Sequence, residues 1–249
     1  MARWVGLIVH RAEAVERVRA QAVAEGRRAA AEEMVTVVGH DLRNYLSPVH
    51  GRVQLLKRRA ELEGRTPDLR DAEAAERAVA GLTRLVSDLL DLSRIDRGLF
   101  ELQRARLDVV ALAREVSAAL ESADHGIRVE APGEAVVEGD AVKLRQVLEN
   151  LVSNALRHSP PGAPVSLRVA RGAGPPPQVR IEVCDRGPGI DPAVADRLFS
   201  RFARGAGSGG LGLGMYLARE IAVAHGGALH FAAAPGGGTV FTLTLPEAR

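Results

Sequence analysis

Apolar residues at Val35, Val38, Leu42, Val49 and Leu56 fall close to a heptad spacing, which predicts a helix packing through one narrow seam. With Val35 at position a, His40 falls at f. Its imidazole therefore points away from the seam, with Asp41 beside it and Asn44 one turn on. Upstream, Ala12 to Glu33 is rich in Ala, Arg and Glu and carries only a thin stripe through Val15, Val18 and Ala22. That stripe suits either a solvated helix or a two-stranded connector. Pro48 lacks a backbone donor and crowds the carbonyl of Asn44, so a bend is expected within two turns of His40. Gly64 to Asp68 reads as a turn, with Thr66 or Asp68 as the N-cap of the next helix.

A second helix is expected from about Leu69 to Asp96, with a seam through Ala75, Ala78, Leu82, Leu85, Leu89 and Leu92. Two helices with such narrow stripes form a hairpin that cannot make a core alone. Two hairpins can make a four-helix bundle, so a homodimer is expected. Arg97-Gly98 ends the helix, and Leu99 to Leu107 reads as an extended linker.

From Asp108 the periodicity changes. Helices are expected at Val109–Leu120, Ala141–His158 and Gly214–Ala224. Strands are expected at Ile127–Ala131, Ala135–Glu138, Val165–Ala170, Gln178–Cys184, Ala228–Ala232 and Val240–Leu245. This interleaving predicts an α+β two-layer sandwich. The domain reading is a connector over 1–33, the all-α hairpin over 34–98 and the sandwich over 99–249.

Composition narrows the partners. Of 249 residues 46% are hydrophobic but only 3% aromatic, so the core must be aliphatic. Charges nearly balance (33 basic, 31 acidic), and no basic block is interleaved with aromatics, which argues against nucleic-acid binding. A single cysteine, Cys184, rules out an internal disulfide and fits a reducing compartment. The apolar opening Trp4–Val9 is far too short to span a bilayer, so a cytoplasmic location is expected; these residues also look like the end of something longer.

Three segments carry candidate chemistry. Asn150 and Asn154 share one face of the helix 141–158, continued by Arg157 and His158, while Leu148, Leu151, Val152 and Ala155 cover the opposite side. Carboxamide oxygens suit a Mg²⁺ that is also held by phosphates, and Arg157 and His158 can donate to phosphate oxygens. Alternatively the face is simply solvated. At the end of the strand 178–184, Asp185 can accept from an exocyclic amine, and Gly187 and Gly189 let backbone pass close to a planar ring. The plainer reading of this stretch is a tight turn. The run Gly205 to Gly214 leads into a helix whose N-terminus can cradle phosphates. A flexible linker would not carry Leu211 and Leu213. Phe199 and Phe202 are expected to anchor this segment, with Arg201 and Arg204 as candidate phosphate or partner contacts.

Assembled in order, these segments resemble the sensor histidine kinases of two-component signalling, over about Met34 to Pro246. His40-Asp-Leu-Arg-Asn44 looks like the phosphoacceptor box, and Asn150 to His158 like the asparagine box. Asp185-Arg-Gly-Pro-Gly-Ile190 resembles the first glycine box, Phe199 with Phe202 the phenylalanine box, and Gly210-Leu211-Gly212-Leu213-Gly214 the second glycine box. Gly236 to Leu245 is similar to the closing segment, with Thr239 near the adenine site.

The resemblance implies a dimeric phosphoacceptor hairpin and an ATP-binding sandwich of the Bergerat type. It implies that Asp185 recognises adenine, that Asn154 with Asn150 holds Mg²⁺, and that His40 attacks the γ-phosphoryl group of ATP. A histidine titrating near about 6.5 is largely an unprotonated nucleophile at neutral pH, and Asp41 can take the departing proton. The family further implies that Asn44 orients a water for dephosphorylating a partner, that the receiver domain of a response regulator is that partner, and that a sensor domain lies upstream. Tyr45 stands where the family often has proline, and Arg157-His158 replace a commoner Lys-Tyr pair. Two other readings compete: a nucleotide-binding regulatory module acting mainly as a phosphatase, and a chaperone- or topoisomerase-type ATPase. The latter leaves His40 and the hairpin unexplained, and asparagine at 150 lacks its acidic water-activating group.

Overall fold

The computed structural model describes residues 42, 46–121, 126–131, 133–172, 176–203 and 211–248. The chain divides into two compact units, Met1–Leu99 and Phe100–Arg249. Among the described residues no helix is long and apolar enough to cross a membrane.

In the first unit, α1 (46–62) and α2 (Thr66–Asp96) are joined by a turn in which Gly64 adopts φ +65°. Pro48 lies within α1; the bend expected near it falls largely on residues outside those described. Neither Thr66 nor Asp68 caps α2. Arg65 is the N-cap, and it makes no side-chain capping bond. Pro67 explains the shift, because its fixed φ and missing donor favour the first helical turn and draw Thr66 into the helix with it. Asp68 instead pairs with Arg65 at 2.6 Å. Gly98, at φ +66°, donates to Ile95 and closes the C-terminus.

Ala72, Val79, Val86 and Leu90 are the apolar side chains that α2 buries within one chain. The expected seam is rotated from them: Ala78 and Leu82 are exposed, and Ala75, Leu85, Leu89 and Leu92 are half-buried. A single hairpin thus covers one stripe and leaves the adjacent one open. Lys57 on α1 bonds Glu76 on α2 at 2.9 Å; this bond raises the lysine pKa and lowers that of the glutamate.

The second unit is built on a mixed five-stranded sheet in the order β2-β4-β5-β7-β6. Its strands are β2 (Ile127–Glu130), β4 (Val165–Gly172), β5 (Gln178–Cys184), β6 (Ala228–Ala233) and β7 (Thr239–Pro246). Only β2 and β4 pair in parallel. The region expected to be linker up to Leu107 contributes β1 (Ala105–Asp108), which pairs antiparallel with β3 (Val136–Gly139) as a separate ribbon. Four residues, Ala105-Arg106-Leu107-Asp108, are too few to mark a strand by their alternation, and nothing local points to a partner about thirty residues away.

Helices α3 (Val109–Leu120), α4 (Ala141–His158) and α6 (Gly214–Ala224) supply the buried layer against the sheet. Alternation does the work on the strand side: Val165, Leu167 and Val169, then Val179, Ile181 and Val183, then Phe241, Leu243 and Leu245 are all essentially inaccessible. From α4 come Leu144, Val147, Leu148, Leu151, Val152 and Ala155, and from α6 Leu217, Ala218, Ile221 and Ala222. Asp140 starts α4 by accepting from the amides of Val142 and Lys143. A one-turn helix, α5 (Pro192–Ala195), was not legible from periodicity; Asp191 caps it.

Candidate functional site

Burying Leu148, Leu151, Val152 and Ala155 under the sheet leaves the Asn150 and Asn154 side of α4 half-buried at the edge of the core. Asn150 Nδ2 donates to the Gly214 carbonyl at 3.3 Å, which sets the amide against the first turn of α6. A Cβ at Gly214 would touch that amide at 3.4 Å. Asn154 is half-buried one turn on, His158 is half-buried and Arg157 is exposed.

At the C-terminal end of β5, Asp185 is 3% exposed. Its Oδ1 accepts from the amides of Gly187 at 2.8 Å and Thr239 at 3.0 Å, and its own amide donates to the Thr239 carbonyl at 2.9 Å. Two amides on one oxygen offset much of the cost of burying a carboxylate and fix its plane. Thr239 is buried at the start of β7, beside the strand that delivers Asp185.

The glycines here are needed for close backbone approach. A Cβ at Gly187 would lie 2.7 Å from the His158 carbonyl oxygen, so α4 docks directly onto the turn. At Gly238 it would collide with the Asp185 carbonyl. Gly189 has room for a Cβ, 3.9 Å from the Gly238 oxygen, but adopts φ +84°. Ile190 is partly buried and packs on the core, and Leu213 is buried. Ser159 accepts from the Arg186 amide at 3.3 Å, a contact the sequence reading missed, as it missed Gly238. The run of three glycines before Thr239 was the available signal for Gly238. Burial holds the Cys184 thiol above its ordinary range, with the Asp185 charge acting in the same direction.

Phe199 and Phe202 do not share a role. Phe199 packs on Phe231 with centroids 5.7 Å apart, and Arg219 lies over its ring. Phe202 is 58% exposed at φ +60°, so it does not share the buried aromatic contact of Phe199 among the described residues. Gly212 adopts φ +71° against the backbone of Phe202 and Ala203. Asn150, Asn154, His158, Asp185, Gly187, Thr239 and Gly214 therefore gather where α4, β5, β7 and α6 meet. His40, Asp41, Asn44 and Gly210 lie outside the described residues.

Two family models match the chain. Residues 30–98 match the His Kinase A (phospho-acceptor) domain, and residues 139–249 match the histidine kinase-, DNA gyrase B- and HSP90-like ATPase. The chain belongs to the sensor histidine kinases of two-component signalling. Among related sensor kinases, the probable sensor histidine kinase TcrY of Mycobacterium tuberculosis is 35% identical over 229 residues, covering 86% of this chain and 45% of TcrY. The sensor protein DivL of Caulobacter vibrioides is 34% identical over 237 residues, covering 93% of this chain and 30% of DivL. This sensor kinase chain thus spans less than half the length of either relative. Of solved kinases, full-length ShkA in complex with AMPPNP superposes with a TM-score of 0.66 at 27% identity, covering 87% of this chain and 46% of ShkA. The mycobacterial sensor histidine kinase MprB gives a TM-score of 0.52 at 28% identity, covering 58% of this chain and 97% of the MprB structure.

Proposed function

We propose that this chain is an ATP-dependent protein-histidine kinase that phosphorylates its own His40 and passes the phosphoryl group to an aspartate of a response regulator. The observation that carries the nucleotide half of this reading is the buried Asp185, locked by the amides of Gly187 and Thr239. With Oδ1 taken by two donors, the carboxylate presents a fixed acceptor suited to an exocyclic amine such as that of adenine. The phosphoacceptor half rests on the match over residues 30–98, which contains His40.

In this reading Asn150 and Asn154 hold Mg²⁺ on the phosphates. The residues fit that ion: Asn150 commits its amide nitrogen to Gly214 and so keeps its carbonyl oxygen for a cation, and neutral oxygens suit an ion already held by phosphates. Bound Mg²⁺ would spread the charge that builds on the β- and γ-phosphates. The residues of the chain then position and exchange protons. The neutral imidazole of His40 attacks the γ-phosphorus. A phosphorus–nitrogen bond forms as the bond to the ADP oxygen breaks, and Asp41 takes the ring proton. His158 and Arg157 donate to phosphate oxygens, the glycines at 210, 212 and 214 with Leu213 line the phosphate approach, and Gly189, Ile190 and Phe202 complete the surround.

The domain assignment that goes with this is a connector over 1–33, a dimerisation and phosphotransfer hairpin over 34–98 and a catalytic domain over 99–249. The proposed dimer forms through the hairpin, Asn44 serves the phosphatase reaction, and the protein acts in the cytoplasm beside a sensor domain. Label from γ-labelled ATP should enter the wild type and be absent from His40→Gln and from Asp185→Ala. Label persisting in the first variant would remove His40 from its role; undiminished labelling in the second would remove Asp185.

A further inference from the structure

We infer that Arg201 and Tyr216 form a brace that fixes the first turn of α6, and with it the backbone offered to the phosphates of a bound nucleotide. The inference rests on the nucleotide site proposed above and assigns positioning residues within it. Arg201 Nη2 donates to the Tyr216 hydroxyl at 2.9 Å, and its guanidinium carbon lies 4.9 Å from the centroid of that ring. One side chain thus meets one partner by a directional bond and by a stacked cation–π contact, a combination that a planar guanidinium makes and an ammonium does not.

Placement gives the pair its meaning. Tyr216 stands two residues after Gly214, whose carbonyl holds the Asn150 amide. At Gly212 a Cβ would come within 2.5 Å of the Ala203 oxygen and 2.8 Å of the Phe202 carbonyl carbon. Residues 201–203 and 212–216 are therefore joined both by a backbone approach that needs glycine and by the Arg201–Tyr216 pair. Among the described residues, an open space of about 270 Å³ lies against the first of these stretches, lined by Arg197, Ser200, Arg201 and Phe202. Phe202, next to Arg201, sits at φ +60°, a conformation that persists only where the surroundings impose it. Arg201 was a candidate phosphate contact on sequence grounds; its engagement with Tyr216 makes it a positioning residue instead.

The test uses the full chain with Mg²⁺ and compares ATP with AMP, the weaker ligand being followed by ligand-observed NMR. Arg201→Ala should weaken ATP binding about tenfold and leave AMP binding unchanged, since the Asp185 pocket is built from other elements. Tyr216→Phe, which keeps the ring, should lose less. The double variant should be no weaker than Arg201→Ala alone, because both remove one interaction. Arg201→Lys should recover part of the loss. Equal weakening of ATP and AMP, additive losses, or no loss in Arg201→Ala would each overturn the brace. A wild type that binds neither nucleotide would instead overturn the site on which the inference rests.

Discussion

The two units of this chain bury apolar surface in opposite ways. In the second unit Leu144, Leu148, Leu151, Leu167, Ile181, Leu217, Ile221, Phe241, Leu243 and Leu245 are at most 1% exposed. Sheet and helix residues of this unit share one buried cluster, so the layer closes on itself. In the hairpin the buried apolar residues are Ala60, Ala72, Val79, Val86 and Leu90, while Leu55, Leu56, Leu62 and Leu82 are 51–81% exposed. A two-helix hairpin has one internal contact line, and residues off that line need another surface to cover them. The contrast teaches that one unit closes its core within a single chain, whereas the other leaves a stripe that the proposed dimer would cover. It also separates their tasks: a site that must fix a carboxylate and two amides sits on the rigid unit.

The largest expected effect breaks the contrast on its rigid side. Leu151→Ala, at 0% exposure on α4, should cost about 2–5 kcal/mol and lower the urea midpoint at which β5 amides begin to exchange. A change near zero would mean that the core is not closed. Next, Leu82→Glu should shift the chain from dimer to monomer in sedimentation at micromolar concentration, with β5 exchange unaltered. A dimer of undiminished affinity would take this stripe out of the proposed interface.

His225 gives a smaller effect with a definite pH window. Buried at the end of α6, it donates from Nδ1 to the Ile221 carbonyl at 2.8 Å and accepts from the Asp140 amide on Nε2 at 3.0 Å, so its neutral form is the one that fits. Burial lowers its pKa, and the Arg104 charge adds to that; the bond to Ile221 and the Asp140 charge oppose it. On acidification the unfolded chain takes up this proton first, near pH 6.5. The stabilisation is therefore fully present above about 6.5 and is lost as pH falls from there toward the folded value. The fall in urea midpoint between pH 7.5 and 5 should be shallower in His225→Gln; equal slopes would deny the linkage. The smallest effect belongs to Lys57 and Glu76, a partly exposed pair between α1 and α2. Glu76→Gln should lower the hairpin's melting temperature only slightly, and the difference should vanish in 1 M salt.

The helices and strands of the second unit were legible because burial on one face writes a period into the sequence: 3.6 for α4 and two for β5 and β7. The rotated face of α2 was less so, since Val79 and Val86 run beside the Leu seam and sequence alone does not say which stripe is buried within the hairpin and which stays open. Within the site, Asp185 stood out at its strand end, but the amides that hold it come from a turn and from β7, fifty-four residues on. Phe199 and Phe202 looked alike in sequence and differ entirely in place, one in an aromatic cluster and one at positive φ.

What the sequence determined by itself was the set of elements and the residue types at their ends: an imidazole at position 40, paired amides on α4, a carboxylate after β5 and glycines before α6. Local periodicity and side-chain chemistry are enough for that. Only the tertiary structure decided which of these meet. The approach of His158 to Gly187, of Asn150 to Gly214 and of Arg201 to Tyr216 joins elements distant along the chain, and such contacts depend on how layers pack, which no local pattern records.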